Sequence, residues 1–262
     1  LTVADALGAS GLDAREARLL LAAASGFSQA ALLAFPGRAL SREAAERFAD
    51  FAARRARGEP VAYIVGYQEF YGLRLAVNPV ALIPRPETEL LVDLALERPW
   101  RSAVDLGAGC GAIALALKHE RPGAHVVGTD ASAAALALAR RNATALALGI
   151  EWRHGRWCEP LQGERYELIV SNPPYVACGD PHLAALAYEP AHALIAGADG
   201  LDALRDIARA APPHLADGGW LLLEHGYDQA NMVRELLGAA GLHDVRSWPD
   251  LAGILRVSGG RR

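Results

Sequence analysis

Asn172, Pro173, Pro174 and Tyr175 follow directly on Ser171 and on the β-forming run Tyr-Glu-Leu-Ile-Val that begins at Tyr166. Their types suit one kind of chemistry. Asn172 offers a side-chain carbonyl acceptor. Pro173 offers a backbone carbonyl, has no N–H and fixes φ. Two acceptors side by side can take both hydrogens of one substrate –NH2 group. An amide nitrogen is a poor nucleophile, because its lone pair is delocalised into the carbonyl. Holding both N–H bonds aligns it for attack on a methyl sulfonium and stabilises the positive charge that develops on it. The Tyr175 ring can lie against a planar amide or base and touch the cationic methyl. Neither a metal nor a strong base is required. The plainer alternative is that Pro-Pro stops a strand and Asn172 caps the next turn. The residues upstream weigh against it.

Those residues are "VDLGAGCGAIALAL", Val104 to Leu117, which reads as strand, glycine turn and helix. Gly107, Ala108, Gly109, Cys110 and Gly111 form the turn, where glycine lets the backbone approach a ligand and a helix N-terminus faces it. About twenty residues on, "HVVGTD" ends a second strand at Asp130, whose carboxylate can take both hydroxyls of a ribose. Gly107, Gly109 and Ala112 satisfy the dinucleotide pattern. With Asp105 they also satisfy the looser D-x-G-x-G-x-G pattern of S-adenosylmethionine (AdoMet) sites, and Asp105 favours that ligand. A bare structural turn is the third reading, opposed by Asp130 in register.

These groups must be carried by a scaffold. From about residue 101 strands and helices alternate, which predicts a parallel sheet with helices on both faces. "LHDVRSWPD" and "ILRVSG" are expected to close it as an antiparallel edge hairpin. The strand before Asn172 should end at the same carboxyl edge as the glycine turn, where open α/β sheets bind ligands. Residues 1–60 read as a small helical domain, with Ser41 as an N-cap and Gly58 just past a helix end. Residues 61–84 read as a β-hairpin linker, with Val61, Tyr63 and Val65 in its first strand and Gly66 and Gly72 at turns. The methyltransferase domain is expected over 85–262, opening with a helix from about Glu87 to Glu97.

Composition excludes other classes. The net charge is −4 over 262 residues and the arginines are scattered, so no phosphate-gripping surface is expected. Cys110, Cys158 and Cys178 lack CxxC spacing, and the eight histidines form no HxxxH pair. This predicts a reducing cytoplasm, no disulfide framework and no metal site. No apolar run is long enough for a membrane span, and "LTVADALGAS" does not read as a signal peptide. The first residue is Leu, so a few native residues are expected to precede it. No interface stripe stands out, which predicts a monomer. An NAD-dependent oxidoreductase fits the glycine turn but leaves Asn-Pro-Pro-Tyr unexplained and lacks a Lys-Tyr or His-Asp proton relay. A non-catalytic AdoMet-binding adaptor has no need of Asn172 and Tyr175.

Several blocks together carry a family resemblance: "GEPVAYIVGYQEFYGLRLAVNPVALIPRPETELLVD", "DLGAGCGAIALAL", "SNPPYV", "DPHL", "YEP" and "LLLEHG". "NPPY" alone resembles amino methyltransferases acting on adenine N6, cytosine N4 or glutamine N5. The whole set, spanning nearly the full chain, resembles the HemK/PrmC family, which methylates the Gly-Gly-Gln glutamine of peptide chain release factors. The resemblance implies a class I AdoMet-dependent, Rossmann-like α/β fold. It implies AdoMet as methyl donor, S-adenosyl-L-homocysteine as product and class 1 release factors as partners. It places the methionine end of AdoMet on Gly107–Gly111, ribose on Asp130 and adenine beside Trp157. Asn172 would touch both cofactor and glutamine, Pro173, Pro174 and Tyr175 would complete the amide pocket, and Arg85 and Glu87 would shape its entrance. Arg156 departs from the acidic residue common before Trp157, and a guanidinium cannot accept from the adenine amino group. Cys110, where Thr or Ser is common, is read as a small filler. The alternative within the same chemistry is a DNA or RNA amino methyltransferase.

Overall fold

The structure is a computed structural model describing residues 1–262. It divides into two compact units, Leu1–Tyr67 and Gln68–Arg262. The first holds α1 (Val3–Ala9), α2 (Ala14–Ser25), α3 (Gln29–Ala34), α4 (Arg42–Ala56) and α5 (Val61–Val65). Local chemistry sets the helix starts. The side chains of Thr2, Asp13, Ser28 and Ser41 each accept from backbone N–H groups of the turn they open. Val3, Leu20, Leu21, Leu32, Phe48 and Ile64 form the unit's own core.

Val61–Val65 corrects the sequence reading. The segment is a helix, although its alternating Val61, Tyr63 and Val65 suggested a strand. Pro60 occupies the N-cap position, consecutive residues Ala62, Tyr63 and Ile64 are all buried, and Gly66 closes the helix in the left-handed region at φ 81°. Three buried neighbours in a row cannot share one face of a strand, whose side chains alternate. Gly66 was therefore a stop signal for a helix. The hairpin begins afterwards, with β1 (Tyr67–Phe70) and β2 (Leu73–Ala76) joined through Tyr71 and Gly72. Both turn residues have positive φ (49° and 72°), as a two-residue type I′ hairpin turn requires.

In the second unit a 3-10 turn over Pro86–Thr88 precedes α6 (Glu89–Leu96), so the expected helix starts with a tighter turn. The alternation then runs β3 (Ser102–Leu106), α7 (Ala112–Glu120), β4 (His125–Asp130), α8 (Ala133–Ala145), β5 (Glu151–His154) and β6 (Tyr166–Ser171). It continues through α9 (Asp202–Ala210), β7 (Leu215–Glu224), α10 (Ala230–Ala239), β8 (His243–Pro249) and β9 (Leu255–Arg261). The seven strands lie in the order β5-β4-β3-β6-β7-β9-β8. The first five pair in parallel; β9 runs antiparallel to β7 and to the edge strand β8. This is the Rossmann-like sheet with the antiparallel edge hairpin expected. Val104, Leu106, Ile169, Leu221 and Leu223 meet Leu204, Ile207, Val233 and Leu237 in its core.

The register places the site. Asp105 of β3 pairs with Val170 of β6, so both strands end side by side and release the glycine turn and Asn172 at one edge. The chain steps from β3 to β4 on one side and to β6 on the other, which makes this edge the switch point of the sheet.

Candidate active site

A cavity of about 470 Å³ opens at this edge, within the size range of small-molecule sites. Gly107, Gly109, Asp130, Trp157, Asn172 and Pro174 line it, together with Arg156 and Asp202. Val80, Ala81 and Leu82, from the segment read as linker, form part of its wall. Ala108, Cys110 and Gly111 are buried behind the turn, and Pro173 and Tyr175 lie beside the cavity without lining it.

The turn is shaped by packing as much as by any ligand. Gly107 (φ 75°) faces the Trp157 ring, and a Cβ there would come within 2.9 Å of it. Gly111 (φ 90°) has a different reason to be glycine. A Cβ would meet Trp152 at 2.8 Å and Leu115 at 3.1 Å, so the position serves the packing of β5 on α7. Gly128 in β4 is likewise covered by the Trp152 ring. Gly109 (φ 56°) faces open space toward the cavity, with only Ala81 near, at 3.8 Å.

Hydrogen bonding decides what the turn can hold. Gly107 N and Ala108 N both donate to Thr129 O at 2.9 Å. Gly109 N donates to Asp130 Oδ2 at 2.8 Å and Gly111 N to Ala108 O at 2.8 Å. These four donors are engaged, and the carboxylates of Asp105 and Asp130 stand close by. A pyrophosphate is held by free N–H groups, so a turn with these four engaged is ill suited to a dinucleotide. Asp130 Oδ1 accepts from Ser132 N at 2.7 Å, and each carboxylate oxygen retains further acceptor capacity for a ribose hydroxyl. Asp105 points away from the cavity: its Oδ2 accepts from Ala114 N at 3.1 Å, which fixes the start of α7. Burial pushes its pKa up to about 7.

Asn172 carries the most informative atom. Its Nδ2 donates to Thr88 Oγ1 at 3.0 Å, while its Oδ1 is buried and has no partner. A buried acceptor without a donor costs free energy, on the order of 1–3 kcal/mol. An incoming N–H group would remove that cost. Trp157 Nε1 is also buried and unpartnered, and the residue is held at φ 48° by Thr129 Oγ1, which donates to its carbonyl at 2.9 Å. Both orphan atoms belong to cavity-lining residues, so these residues fit a polar guest such as AdoMet and an amide.

Behind Asn172 lie groups the sequence reading did not single out. Thr88 and Glu224 are buried. Tyr175 Oη donates to Glu224 Oε1 at 3.3 Å. Burial raises the Glu224 carboxyl to about 7, against the pull of Thr88, Tyr175 and Arg256. Burial likewise raises the Tyr175 phenol. Glu189 is buried, accepts from Ile83 N at 3.1 Å and pairs with Arg85. Arg85 is thereby a fastener between the segment before α6 and the loop after β6. Asn142 of α8 accepts from Ala76 N at 2.8 Å and donates to Ala76 O at 3.1 Å and Cys110 O at 2.9 Å. It joins β2 to the back of the glycine turn. Arg156 at the rim pairs with Asp206 at 2.6 Å. Cys110 is buried with its thiol pushed up to about 12 by desolvation, consistent with a filler. Glu189 and Glu224 lie in "YEP" and "LLLEHG", but spacing alone does not reveal burial.

The methyltransferase small domain family matches residues 86–238, and the PrmC N-terminal domain family matches residues 2–66. A release factor glutamine methyltransferase of Pseudomonas aeruginosa is 51% identical over 252 residues, covering 94% of this chain and 91% of the relative. The chain belongs to the release factor glutamine methyltransferase family. Its relative in Neisseria gonorrhoeae, of the same name, is 46% identical and covers 100% of this chain and 98% of its own. Solved structures carry the fold further. A Pyrococcus furiosus methyltransferase superposes with a TM-score of 0.57 at 18% identity, over 81% of this chain and 97% of that one. A T. thermophilus 16S rRNA methyltransferase, solved with AdoMet and guanosine, gives 0.56 at 22% identity, over 75% and 49%. This member of the release factor glutamine methyltransferase family thus places its sheet, glycine turn and Asn-Pro-Pro-Tyr corner on a methyltransferase scaffold.

Proposed function

We propose that this protein methylates the side-chain amide nitrogen (N5) of the glutamine in the Gly-Gly-Gln loop of class 1 peptide chain release factors. The observation that carries the reading is the unpartnered, buried Oδ1 of Asn172 at the cavity. AdoMet would supply the sulfonium methyl there, the C–S bond breaking as the C–N bond forms and the nitrogen's surplus proton leaving to solvent. Asn172 Oδ1, at the cavity, would accept one amide hydrogen and hold the nitrogen in line, and the carbonyl of Pro173, which borders the cavity, would take the other. Pro174 would flank the amide plane, with the Tyr175 ring behind it. Asp130 would accept from the ribose hydroxyls, Gly107 and Gly109 would admit the methionine end, and Trp157 would flank the adenine. Ala108, Cys110 and Gly111 set the shape of the turn from behind.

The names of the relatives support a release factor as substrate. The net charge of −4 supports a protein partner over nucleic acid. No helix is long and apolar enough to cross a membrane. The proposed setting is the cytoplasm, the proposed state a monomer, and the N-terminal helices the proposed recognition unit. The test is mass spectrometry of a purified release factor incubated with enzyme and AdoMet. One added methyl on the Gly-Gly-Gln glutamine is expected. A methyl at another residue, or one on an adenine or cytosine amino group of added nucleic acid instead, would overturn the reading.

A further inference from the structure

Pro173 and Pro174 have no N–H to give, so the middle of the Asn-Pro-Pro-Tyr corner cannot be held by its own backbone donors. It depends on what grips it at either end. Before the prolines, buried Ser171 donates from Oγ to Leu106 O at 2.6 Å, and Asn172 Nδ2 donates to Thr88 Oγ1 at 3.0 Å. After them, the main-chain carbonyl of Tyr175 accepts from Gln229 Nε2 at 3.0 Å. Val176 N then donates to Leu194 O at 2.8 Å, and the loop runs on.

Gln229 lies in the turn between β7 and α10, 54 positions from Tyr175, and is 5% exposed. It occupies the N-cap position of α10 yet makes no side-chain capping bond. Its amide is turned elsewhere. Oε1 accepts from Gly226 N at 2.8 Å, and Nε2 reaches the carbonyls of Tyr175 (3.0 Å), Gly200 (3.3 Å) and Asp199 (3.5 Å). The two ends of an amide are alike in shape, but here the partners choose between them. A backbone N–H can only donate and a carbonyl can only accept. Gly200, just before α9, completes the seat. Its φ is 74°, and a Cβ there would stand 2.3 Å from Tyr175 O and 2.9 Å from Gln229 Nε2. Positive φ and close approach both ask for glycine. The Tyr175 carbonyl is thus lodged against a bare Cα with the glutamine amide as its donor.

We propose that Gln229 and Gly200 are positioning residues for methyl transfer: they seat the Tyr175 carbonyl and, through it, fix the direction in which the Pro173 carbonyl meets the substrate amide. The proline rings fix φ at both central positions, so few torsions remain free between Ser171 and Tyr175. With both ends held, the Pro173 carbonyl keeps one direction. Tyr175 is steadied at its other end as well, where Oη donates to Glu224 Oε1 at 3.3 Å. Neither Gln229 nor Gly200 lines the cavity. Loosening the seat therefore disturbs the alignment of the reacting nitrogen more than it disturbs cofactor binding. The purpose of the seat rests on the methyl-transfer reading above; the seat itself is a feature of the protein with or without it.

The experiment joins kinetics to a readout that needs no turnover. Among the seven tyrosines only Tyr175 is followed by valine. Labelling tyrosine carbonyls with 13C and valine amides with 15N therefore gives a single cross-peak for this carbonyl. Gln229→Met keeps a side chain of similar length and removes the donor. It should shift that 13C resonance, lower kcat on a release factor by about tenfold or more, and leave the Kd for S-adenosyl-L-homocysteine within about threefold of wild type. Gln229→Glu should be impaired at about pH 8, where a carboxylate faces three carbonyls, and should recover relative to wild type by about pH 6, because burial favours the protonated acid, which can donate again. Wild-type kcat in Gln229→Met, an unmoved resonance, or equal losses of kcat and cofactor affinity would each overturn the proposal. If wild type leaves release factors unmethylated while the resonance still moves in Gln229→Met, the assigned substrate fails and the seat stands. Should Gln229→Met not fold, Gly200→Ala crowds the same carbonyl with its donor in place and is judged by the same three readouts.

Discussion

At the scale of single residues, an orphan atom says more than a motif. Asn172 Oδ1 is buried and unpaired, whereas its Nδ2 is occupied by Thr88. Asn172→Ala should therefore cut methyl transfer by about 10²-fold or more, the scale seen when one preorganised polar contact to a transition state is removed. Cofactor affinity, measured by calorimetry with S-adenosyl-L-homocysteine, should weaken far less. Wild-type turnover in this variant would refute the amide clamp. The cysteines give a second residue-level prediction. Cys110 and Cys158 are buried with thiols pushed up to about 12, while Cys178 is exposed. Brief alkylation at pH 8 should label Cys178 alone, as read by peptide mass mapping, because thiolate and access are both needed. Asn172, Tyr175, Asp130 and the glycines could be picked from sequence because their types are unusual in those settings. Thr88 and Glu224 could not, since a threonine two residues past a proline and an acid at a strand end are ordinary until each is seen to be buried.

At the scale of elements, the strand-to-helix turn after β3 is held by parts distant in sequence. Asn142 bonds Ala76 through both N–H and C=O and also caps Cys110 O. Asn142→Leu keeps the volume but leaves those backbone groups buried without partners. The expected cost is about 2–4 kcal/mol in urea denaturation, with weaker binding of S-adenosyl-L-homocysteine. An unchanged midpoint would mean the hairpin does not depend on this amide. Trp152 gives a similar lesson. It covers both Gly111 of the glycine turn and Gly128 of β4, so one glycine of the AdoMet pattern and one outside it are explained by an aromatic ring of β5. The segment after Pro60 was misread for the converse reason. Its apolar residues alternate in type, yet three consecutive side chains are buried, and only the folded environment supplies a surface for each.

At the scale of the whole molecule, two buried acids tie stability to pH. Burial raises the carboxyls of Asp105 and Glu224 each to about 7. The folded protein therefore holds protons that the unfolded chain would release, whose carboxyls titrate near 4. The stability these two groups give is full below the unfolded values and is lost as pH rises toward and through 7. His225, lowered by burial, works the other way on the acid side of its usual value. The difference between variants isolates each acid. Glu224→Gln should remove part of the loss seen between about pH 5 and 8 in chemical denaturation, on the order of a few kcal/mol. A wild-type and a Glu224→Gln curve that run parallel across that range would refute the assignment.

The sequence by itself determined the scaffold and the candidate groups it carries. Alternating strands and helices, three spaced glycines, Asp130 and Asn-Pro-Pro-Tyr follow from local rules of backbone geometry and donor or acceptor type, which a linear pattern carries. The tertiary structure alone decided which of these groups meet the cavity and what holds them. Ala108, Cys110 and Gly111 fell behind the turn, Val80 to Leu82 became part of the wall, and Glu189 found Arg85. The physical reason is that burial, and with it the demand of every buried polar atom for a partner, depends on residues far apart in the chain. Nothing in the neighbourhood of Asn172 announces that Thr88, 84 positions away, takes one end of its amide and leaves the other free.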